Sequence, residues 1–565
     1  MSDLMFNKVE KFLVREILEK QGVPGFSVSI IKDKDIVWSK GFGYADLEEE
    51  IPATPETVYR VASVSKPVIA TGLLQWMERG RFQLDDPVND LMEDVKIISE
   101  FKEQPTVRNL LTHTSGLPVH VDPIYFNESE CVSLEELIRN SAIAVRPPNQ
   151  EIVYSNTAFN IVGYLVGLFA GEPYPQYMKK NVFEPLEMNS SSFEQTPRIR
   201  KLMAQPYTRK KAGAPLERVK PWYGGSLPEK PCGSLFSTVI DLGHFLIAQM
   251  NGGLYKGRRI LKEETIKEMH KLQASAGASR SGYALAWKRT IHYGKVMLSH
   301  TGGNLGWRAH AAFYPKLKIG IVILTNNGAH NARWRPPARE ALHLLLGGSL
   351  SFDPKKTRME VIPEDWRKLI GVYCRGLMKV EIKIEEGNLV LQRGVEKAYL
   401  ERIDKMRYLV HGGSSDGMEL TFEFDGDGSV KQFDLETETF KPFVEKKLVI
   451  DEKTDLIGTW HGNYVHPYGY FTMELKIEDE MRATVTDWNG VTKPLTNFKA
   501  HRGRVSGSFS FKNLPGYIGW GISEFEANLD LVAVAGKLEG LMTLKSDTGE
   551  ESAVHLILSK NQYHS

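Results

Sequence analysis

The stretch from Val61 to Gly80, VASVSKPVIATGLLQWMERG, combines a helical pattern with a reactive pair of side chains. Its apolar residues recur at the spacing of one buried helix face, Pro67 lies early in it, and Gly80 suits the position after a helix end. Ser63 and Lys66 form an S-x-x-K motif, and residues three apart are neighbours on a helix. Lys66 is therefore expected to reach the Ser63 hydroxyl, which needs a base or a cation beside it to act as a nucleophile.

A second motif, Tyr154-Ser155-Asn156, lies just before a helical pattern over 158–169. A phenol beside a lysine ammonium is expected to titrate below its usual pKa of about 10, which would make Tyr154 a base. The amide of Asn156 has a donor and an acceptor for holding an amide substrate. Tyr125-Phe126-Asn127 is a competing Y-x-N string, but no helical pattern follows it, so Tyr154 is favoured.

A third motif, His300-Thr301-Gly302-Gly303, stands at the predicted end of a strand that begins at Lys295. Glycines let a strand backbone approach a substrate closely. The N–H groups of Gly303 and Ser63 are candidates for an oxyanion hole, in which one donor is typically worth about 3 kcal/mol of transition-state stabilisation. Taken alone, a histidine such as His300 is more often an ordinary residue at a strand end.

Length and composition limit the other possibilities. The chain has 565 residues, too many for one hydrophobic core, so two to four domains are expected. A formal net charge of +1 gives no electrostatic signature of binding to nucleic acid or to an anionic membrane. Cys131, Cys232 and Cys374 are far apart and odd in number, which fits a reducing compartment and gives no metal-ligand spacing. We expect neither a cofactor nor a metal.

The N-terminal segment lacks the uncharged apolar run of a secretory signal. Charged residues interrupt its apolar positions, which have the spacing of an amphipathic helix closed by Gly22. No window has the roughly eighteen apolar residues that span a bilayer. We therefore predict a soluble, cytoplasmic protein that acts on a small peptide or acyl substrate and binds neither nucleic acid nor membrane. Whether it forms a homo-oligomer is left open.

Strand patterns over 25–43, 295–299 and 319–324 alternate with helical ones, which indicates an α/β (α+β) catalytic domain over residues 1–349. Residues 350–364 are polar and irregular and are predicted to form a linker.

The remainder of the chain has the short alternating segments and turn signals of antiparallel β structure. It also contains an internal repeat, because Leu369-Ile-Gly-Val-Tyr373 returns as Leu456-Ile-Gly-Thr-Trp460, 87 residues later. Each copy opens a β-rich segment. We predict two small antiparallel β-barrel domains, at residues 365–449 and 450–565.

The order and spacing of the three motifs resemble the serine β-lactamase and penicillin-binding-protein superfamily. The strings LLTHTSGL over 110–117, GSLFST over 233–238 and GGNLG over 302–306 strengthen the resemblance to the branch that contains class C β-lactamases and D-stereospecific aminopeptidases, peptidase family S12. The resemblance covers residues 1 to about 345. A catalytic domain followed by two small barrels is closest in layout to the three-domain D-aminopeptidases.

The resemblance implies a role for each residue of the first two motifs. Ser63 would be the acylated nucleophile, and Lys66 would activate it and relay protons. Tyr154 would act as the base for acylation and for the deacylating water, although which group takes the proton is disputed in this superfamily. Asn156 would orient the substrate amide.

The third motif departs from many relatives, which have lysine where this chain has His300. Gly303, preceded by Gly302, would still supply the second oxyanion donor. A histidine is mostly neutral near pH 7, so the anchoring of a substrate's C-terminal carboxylate is expected to be weaker. Arg308 and Arg280 are candidates for a replacement cation, but an ordinary surface salt bridge is favoured for each.

In the three-domain relatives, a loop of the last barrel reaches the active site and restricts it to substrates with a free amino terminus. Thr486–Gly490, where Asp487 would meet a substrate ammonium, and His466–Tyr470 are the candidates for such a loop. Both are equally consistent with ordinary barrel turns.

Three functions stay open at this point. The first is a serine peptidase or amidase of the D-aminopeptidase type, and the second is a broad-specificity esterase or β-lactamase-like enzyme. The third is a binding protein that turns nothing over, against which the joint presence of Lys66 and Tyr154 argues. The G-x-S-x-G, H-E-x-x-H and G-x-x-x-x-G-K motifs of other enzyme classes are absent.

Overall fold

The structure, a computed structural model, describes most of the chain. The described residues are 3–118, 133–209, 215–219, 231–304, 306–327, 337–375, 378–442, 454–466, 469–486, 492–502, 504–512, 524–534, 537–546 and 551–560. They fall into two compact units, of which the first comprises 1–117, 125–373 and 379–442, and the second 118–124, 374–378 and 443–565. Each unit is described by itself.

The helices lie N-terminal to the barrels. They are α1 Asp3–Val14, α2 Ser65–Glu78, α3 Val107–Thr112, α4 Leu134–Ser141, α5 Asn156–Ala170, α6 Tyr174–Met178, α7 Pro197–Leu202, α8 Val239–Met250, α9 Glu263–His270, α10 Ala338–Leu345 and α11 Glu364–Arg367. Short 3₁₀ segments cover Ala62–Val64, Val88–Asp90, Pro354–Lys356 and Gly413–Ser415, and π-helical turns cover Arg15–Glu19 and Lys179–Phe183.

Fifteen strands of the described residues belong to the same part of the chain. They are β1 Gly25–Lys32, β2 Asp35–Asp46, β3 Ile51–Pro52, β4 Tyr59–Arg60, β5 Tyr207–Thr208, β6 Glu217–Arg218, β7 Phe236–Ser237, β8 Leu254–Tyr255, β9 Arg258–Arg259, β10 Ala274–Ser275, β11 Gly282–Tyr283, β12 Lys288–His292, β13 Lys295–Asn304, β14 Trp307–Tyr314 and β15 Ile319–Thr325. Nine of them form one sheet in the order β10-β11-β12-β13-β14-β15-β1-β2-β3.

The site-bearing helices pack against one face of this sheet. α2 and α5 contact each other, and their apolar residues share one core with Leu298 of β13 and Phe313 of β14. α5 begins where the hydroxyl of Ser155 accepts the N–H of Ala158 at 3.0 Å, and it ends at Gly171 in the left-handed conformation. The pattern predicted for 158–169 is therefore a helix with a defined start immediately after Tyr154.

Two antiparallel β structures follow. The first is a closed barrel of β16 Gly371–Arg375, β17 Met378–Glu385, β18 Asn388–Arg393, β19 Glu396–Arg402, β20 Arg407–His411, β21 Glu419–Phe424, β22 Val430–Leu435 and β23 Glu438–Pro442. The second is a nearly closed, barrel-shaped sheet of β24 Gly458–His466, β25 Gly469–Ile477, β26 Ala483–Thr486, β27 Thr492–Pro494, β28 Thr496–His501, β29 Arg504–Lys512, β30 Glu524–Val534, β31 Lys537–Ser546 and β32 Glu551–Ser559. The predicted fold class is confirmed, whereas the domain boundaries at 349, 364 and 449 stay predictions.

The repeated string has the same local structure in both copies. The hydroxyl of Tyr373 donates to the carbonyl of Leu369 at 2.8 Å, and Nε1 of Trp460 donates to the carbonyl of Leu456 at 2.9 Å. Both aromatic rings are buried. Each barrel thus begins with an aromatic side chain bonded to the leucine four residues before it. No helix within the described ranges is long and apolar enough to cross a membrane.

Candidate active site

Ser63 lies in the 3₁₀ turn Ala62–Val64 that leads into α2, as the S-x-x-K motif predicts. Ala62 has a φ of 47°, a left-handed conformation that non-glycine residues rarely adopt. The hydroxyl of Ser65 donates to the carbonyl of Ala62 at 2.6 Å and accepts the N–H of Leu235 at 3.1 Å. The second serine of the motif therefore holds the turn in place while Ser63 stays half-buried at the site.

Lys66 is fully buried, and each of its three N–H bonds is accounted for. Its Nζ donates to Ser63 Oγ at 3.0 Å, to Asn156 Oδ1 at 2.6 Å and to the carbonyl oxygen of Cys232 at 2.9 Å. The ammonium also lies 4.9 Å from the centre of the Tyr154 ring. The Cys232 acceptor is a backbone carbonyl, so no side-chain motif could have predicted it.

Burial lowers the pKa of Lys66 to about 8, because an ammonium loses hydration in the interior. At pH 7 roughly a tenth of the molecules would therefore hold this side chain as a neutral amine. A lysine with its ordinary pKa of about 10.4 would almost never be neutral at that pH. The site thus contains a group that can accept a proton under physiological conditions.

The rings of Tyr154 and His113 are in contact, tilted by 31° to each other. The rings of Tyr154 and His113 have centroids 4.3 Å apart, and the Tyr154 hydroxyl is hydrogen-bonded to Ser63. Nδ1 of His113 accepts the N–H of Ser155 at 3.0 Å, so this buried ring holds the segment that carries Tyr154. His113 belongs to the LLTHTSGL string, but its position in that string did not indicate this contact.

The expected lowering of the Tyr154 pKa is wrong. Burial raises the pKa of the phenol above its ordinary value, and the hydrogen bond to Ser63 offsets this only in part. The cation that was expected to stabilise a phenolate, Lys66, is itself destabilised by burial. Tyr154 is accordingly a neutral phenol near pH 7.

The strand register sets the direction of the backbone groups of the third motif. Asn304 pairs with Trp307 across a two-residue turn, and such a closing pair exchanges hydrogen bonds. Because hydrogen-bonded pairs alternate along a ladder, the N–H and C=O groups of Gly303 and Thr301 point away from β14. β12 pairs with β13 only as far as Ser299, so in the described part of the chain the edge beyond it is open.

Gly302 lies against the turn that carries the nucleophile. A Cβ atom added at Gly302 would be 2.1 Å from the carbonyl oxygen of Val61 and 3.1 Å from the backbone nitrogen of Ser63. Only glycine allows this approach between β13 and the turn. The N–H of Ser63 and the open edge that includes the N–H of Gly303 are thereby brought together.

His300 faces the same side of the sheet as Gly302, two residues further on. Its Nδ1 lies 2.7 Å from the carbonyl oxygen of Thr301, and because a carbonyl only accepts, Nδ1 carries the proton. Nε2 is then a lone-pair acceptor, buried and without a hydrogen-bond partner among the described residues. Burial, with the charge of Lys66, lowers the His300 pKa to about 3. The ring is neutral near pH 7, as expected.

Neither candidate for a replacement cation faces this site. Nε of Arg280 donates to Glu419 of the first barrel at 2.9 Å. Arg308 is paired in register with Gly303, so its side chain lies on the sheet face opposite to that of Gly302. Arg280 thus forms the salt bridge that was the favoured alternative, and Arg308 does not place a cation on this face of the sheet.

The structure brings the predicted residues to one place: Ser63, Lys66, Tyr154, Asn156, His300, Gly302 and Gly303. It adds His113 and the carbonyl of Cys232. The competing Tyr125-Phe126-Asn127 string, Asp487 and the tip of the loop at His466–Tyr470 lie outside the described residues.

Comparisons with known proteins agree with this geometry. A family model described as Beta-lactamase matches residues 12–345, more than half of the chain. The curated relative Protein flp of Staphylococcus aureus is 26% identical over 324 residues, which is 56% of this chain and 62% of that protein. The chain thus spans less than two thirds of the length of this relative.

Two solved structures share the fold. An octameric penicillin-binding protein homologue from Pyrococcus abyssi has 26% identity and a TM-score of 0.54, over 78% of this chain and 100% of its own. D-amino acid amidase from Ochrobactrum anthropi SV3 has 23% identity and a TM-score of 0.51, over 61% of this chain and 98% of its own. The similarity to the amidase, at 23% identity, is evidence for a shared fold only.

Proposed function

This chain belongs to the Beta-lactamase family, and from that premise we propose that it is a serine hydrolase that forms an acyl-enzyme on Ser63. The observation that carries the proposal is the position of Lys66 Nζ, 3.0 Å from Ser63 Oγ. Its other two N–H bonds go to Asn156 and the carbonyl of Cys232, which are fixed acceptors.

These two acceptors determine where the lone pair of a neutral Lys66 points. Asn156 Oδ1 and the Cys232 carbonyl oxygen keep the two remaining N–H bonds of the amine. When the amine loses its third proton, the lone pair is left toward Ser63 Oγ. Neutral Lys66 can then take the hydroxyl proton of Ser63 while the oxygen attacks the substrate carbonyl.

Tyr154 takes a different role in this proposal from that of an anionic base. As a phenol bonded to Ser63, it can give a proton to the leaving group and receive one from the Lys66 ammonium. The N–H groups of Ser63 and Gly303 would stabilise the oxyanion of the tetrahedral intermediate. Water would deacylate the enzyme by the same proton path in reverse.

The neutral His300 favours one class of substrate. The ring carries no positive charge to pair with a substrate carboxylate, and its Nε2, buried in the free enzyme, is an acceptor and not a donor. We therefore favour an aminopeptidase or amidase of the D-aminopeptidase type over a carboxypeptidase. An esterase is the second candidate, because an ester requires no charged terminus and is cleaved more easily by the same nucleophile.

The oligomeric state and the cellular location of the enzyme are part of the proposal as well. The octameric assembly of the Pyrococcus abyssi homologue supports a homo-oligomer here. A cytoplasmic location stays a prediction from the sequence, as does a barrel loop that selects a free amino terminus.

The test is hydrolysis of D-alanyl and L-alanyl p-nitroanilide by the full chain, with p-nitrophenyl acetate as the ester and Ser63→Ala as the control variant. A D-preferring anilide rate that disappears in Ser63→Ala supports the aminopeptidase. Ester cleavage through Ser63 without anilide cleavage supports the esterase. A variant that keeps the full rate on all three substrates contradicts the assignment of the nucleophile.

A further inference from the structure

The turn between β12 and β13 has an unusual conformation. Tyr293 and Gly294 both have positive φ, 46° and 72°, as a two-residue type I′ hairpin turn requires. Asparagine, aspartate or glycine normally fills the first of these positions, and a bulky residue there is an outlier. Such a residue persists when the surrounding structure holds it, and it points to a functional constraint.

The first barrel supplies that hold. The N–H of Tyr293 donates to the carbonyl of Gly417 at 2.7 Å, and its hydroxyl donates to Asp416 Oδ2 at 2.7 Å. Its ring stacks on that of His343 in α10, with centroids 3.7 Å apart. A Cβ atom at Gly417 would be 2.4 Å from the Tyr293 ring, so the barrel turn fits closely around this side chain.

A partly buried ion cluster holds the other end of β12. Glu436, in the turn between β22 and β23, contacts Nζ of Lys288 and accepts from Nη1 of Arg339 at 3.0 Å. Burial opposes the charged form of Glu436, but the two cations outweigh it and keep its pKa below the ordinary value. Lys288 pairs in register with Ser299, the last residue of β13 before the open edge.

The contacts of the first barrel with Tyr293 and Lys288 therefore restrain the hairpin that includes β13, the strand of the third motif. β12 and β13 form one hairpin, held at its tip by residues 416–417 and near its base by Glu436. The open edge with His300 and Gly303 continues directly from this hairpin. A small displacement of the hairpin would move the oxyanion donor, and a misplacement of about 1 Å can cost about a hundredfold in rate.

We propose that the first barrel is a positioning element of the active site, which holds the N–H of Gly303 in place through Tyr293 and Lys288. Asp416, Gly417 and Glu436 are its positioning residues. The inference rests on the proposed function, because it assigns the barrel a part in transition-state stabilisation.

The test compares Gly417→Ala with Gly412→Ala. Both glycines belong to the same barrel turn and have positive φ, 76° and 88°, so an added side chain is strained at either position. A Cβ atom at Gly412 would meet nothing closer than 3.5 Å, whereas at Gly417 it meets Tyr293. Full-length variants are compared for kcat/KM on p-nitrophenyl acetate per titrated active site, and for the Ki of phenylboronic acid, whose adduct with Ser63 resembles the tetrahedral intermediate.

We expect Gly417→Ala to lower kcat/KM and to raise the Ki of phenylboronic acid by the same factor, about tenfold or more. The midpoint of the pH dependence of kcat/KM is expected to stay unchanged. Gly412→Ala is expected to stay within about twofold of the wild type on the same scale. Equal effects of the two variants, or a kinetic loss without weaker boronate binding, would overturn the proposal. If Gly417→Ala does not fold, Tyr293→Phe takes its place, with Tyr373→Phe, which also loses a single hydroxyl hydrogen bond, as its control.

Hydrogen exchange separates this inference from the proposed function. Amides of the β12–β13 ladder are expected to exchange faster in Gly417→Ala than in Gly412→Ala, whatever the substrate. Faster exchange without a kinetic change would refute the positioning role. If the wild type hydrolyses nothing through Ser63, the proposed function fails, and unchanged exchange would then reject the barrel contact independently.

Discussion

The two sides of the candidate site bring different groups to Ser63. The helix side, α2 with the start of α5, carries Lys66 and Asn156 and contains the titratable amine of the site. The strand side, the open edge of β13, carries a neutral His300 and backbone N–H groups. In the proposed mechanism, proton transfer is therefore concentrated on the helix side, and the strand side stabilises charge through neutral groups.

This division differs from a site in which both sides are cationic. With lysine in place of His300, two ammonium groups would share the site, and each would lower the pKa of the other. In our proposal, the neutral strand side provides no cation to anchor a substrate carboxylate. Four predictions test this contrast between the sides, in order of decreasing effect.

The largest effect is expected from Lys66→Met, which removes the proton acceptor. We expect kcat/KM on p-nitrophenyl acetate to fall about 10³-fold, within the range for loss of a general base. Lys66→Arg is the informative partner, because a guanidinium keeps the charge and cannot lose its proton. A comparable loss in both variants supports the base, and substantial activity in Lys66→Arg would show that only the charge matters.

Gly302→Ala tests how closely the two sides approach each other. The new Cβ atom would meet the carbonyl of Val61 at 2.1 Å, so the strand or the turn must move, and we expect a loss of about 10²-fold in kcat. Gly233→Ala is the control, since its Cβ atom meets nothing within 3.8 Å. Equal activities of the two variants, measured per folded molecule, would mean that the approach is unimportant.

The pH dependence should report the helix side alone. Lys66 must be neutral to accept the proton, so kcat/KM should rise about tenfold per pH unit below its pKa of about 8 and level off above it. His300, with a pKa of about 3, should add no limb between pH 5 and 9. A profile of p-nitrophenyl acetate hydrolysis with a midpoint near 6.5 would instead implicate a histidine.

His300→Lys should produce the smallest change, which is a change in the preference for substrates with a free C-terminal carboxylate. A lysine on the strand side adds a partner for a carboxylate, worth about tenfold in the rate ratio of D-alanyl-D-alanine to its C-terminal amide. His300→Gln, which stays neutral, should leave that ratio unchanged. A ratio that moves equally in both variants would show that charge at position 300 does not select the substrate.

The helix side was largely predictable because each of its motifs is local in sequence, although the contact of Lys66 with Asn156 joins residues 90 apart. Ser63 and Lys66 are three residues apart, and Tyr154 and Asn156 adjoin a helix start that a capping serine marks. The repeated string likewise predicted the β-barrels. These features depend on helix periodicity and on capping, which a sequence displays directly.

The strand side required the structure because strand register is a long-range property. The face on which Arg308 lies depends on its pairing with Gly303, and the pairing of Arg280 with Glu419 joins residues 139 apart. The direction of the Tyr154 pKa depends on burial, which the Y-x-N motif does not encode. The contact of Lys66 with Cys232 uses a backbone carbonyl, which any residue type would provide, so the sequence does not indicate it.

The bond from Tyr373 to Leu369, and its counterpart from Trp460 to Leu456, bears on how the C-terminal half of the chain folds. Each joins residues four apart, so its closure costs little chain entropy and can precede the long-range strand pairs. Each barrel therefore carries, at its own first strand, a contact whose formation does not depend on the folding of the catalytic part of the chain.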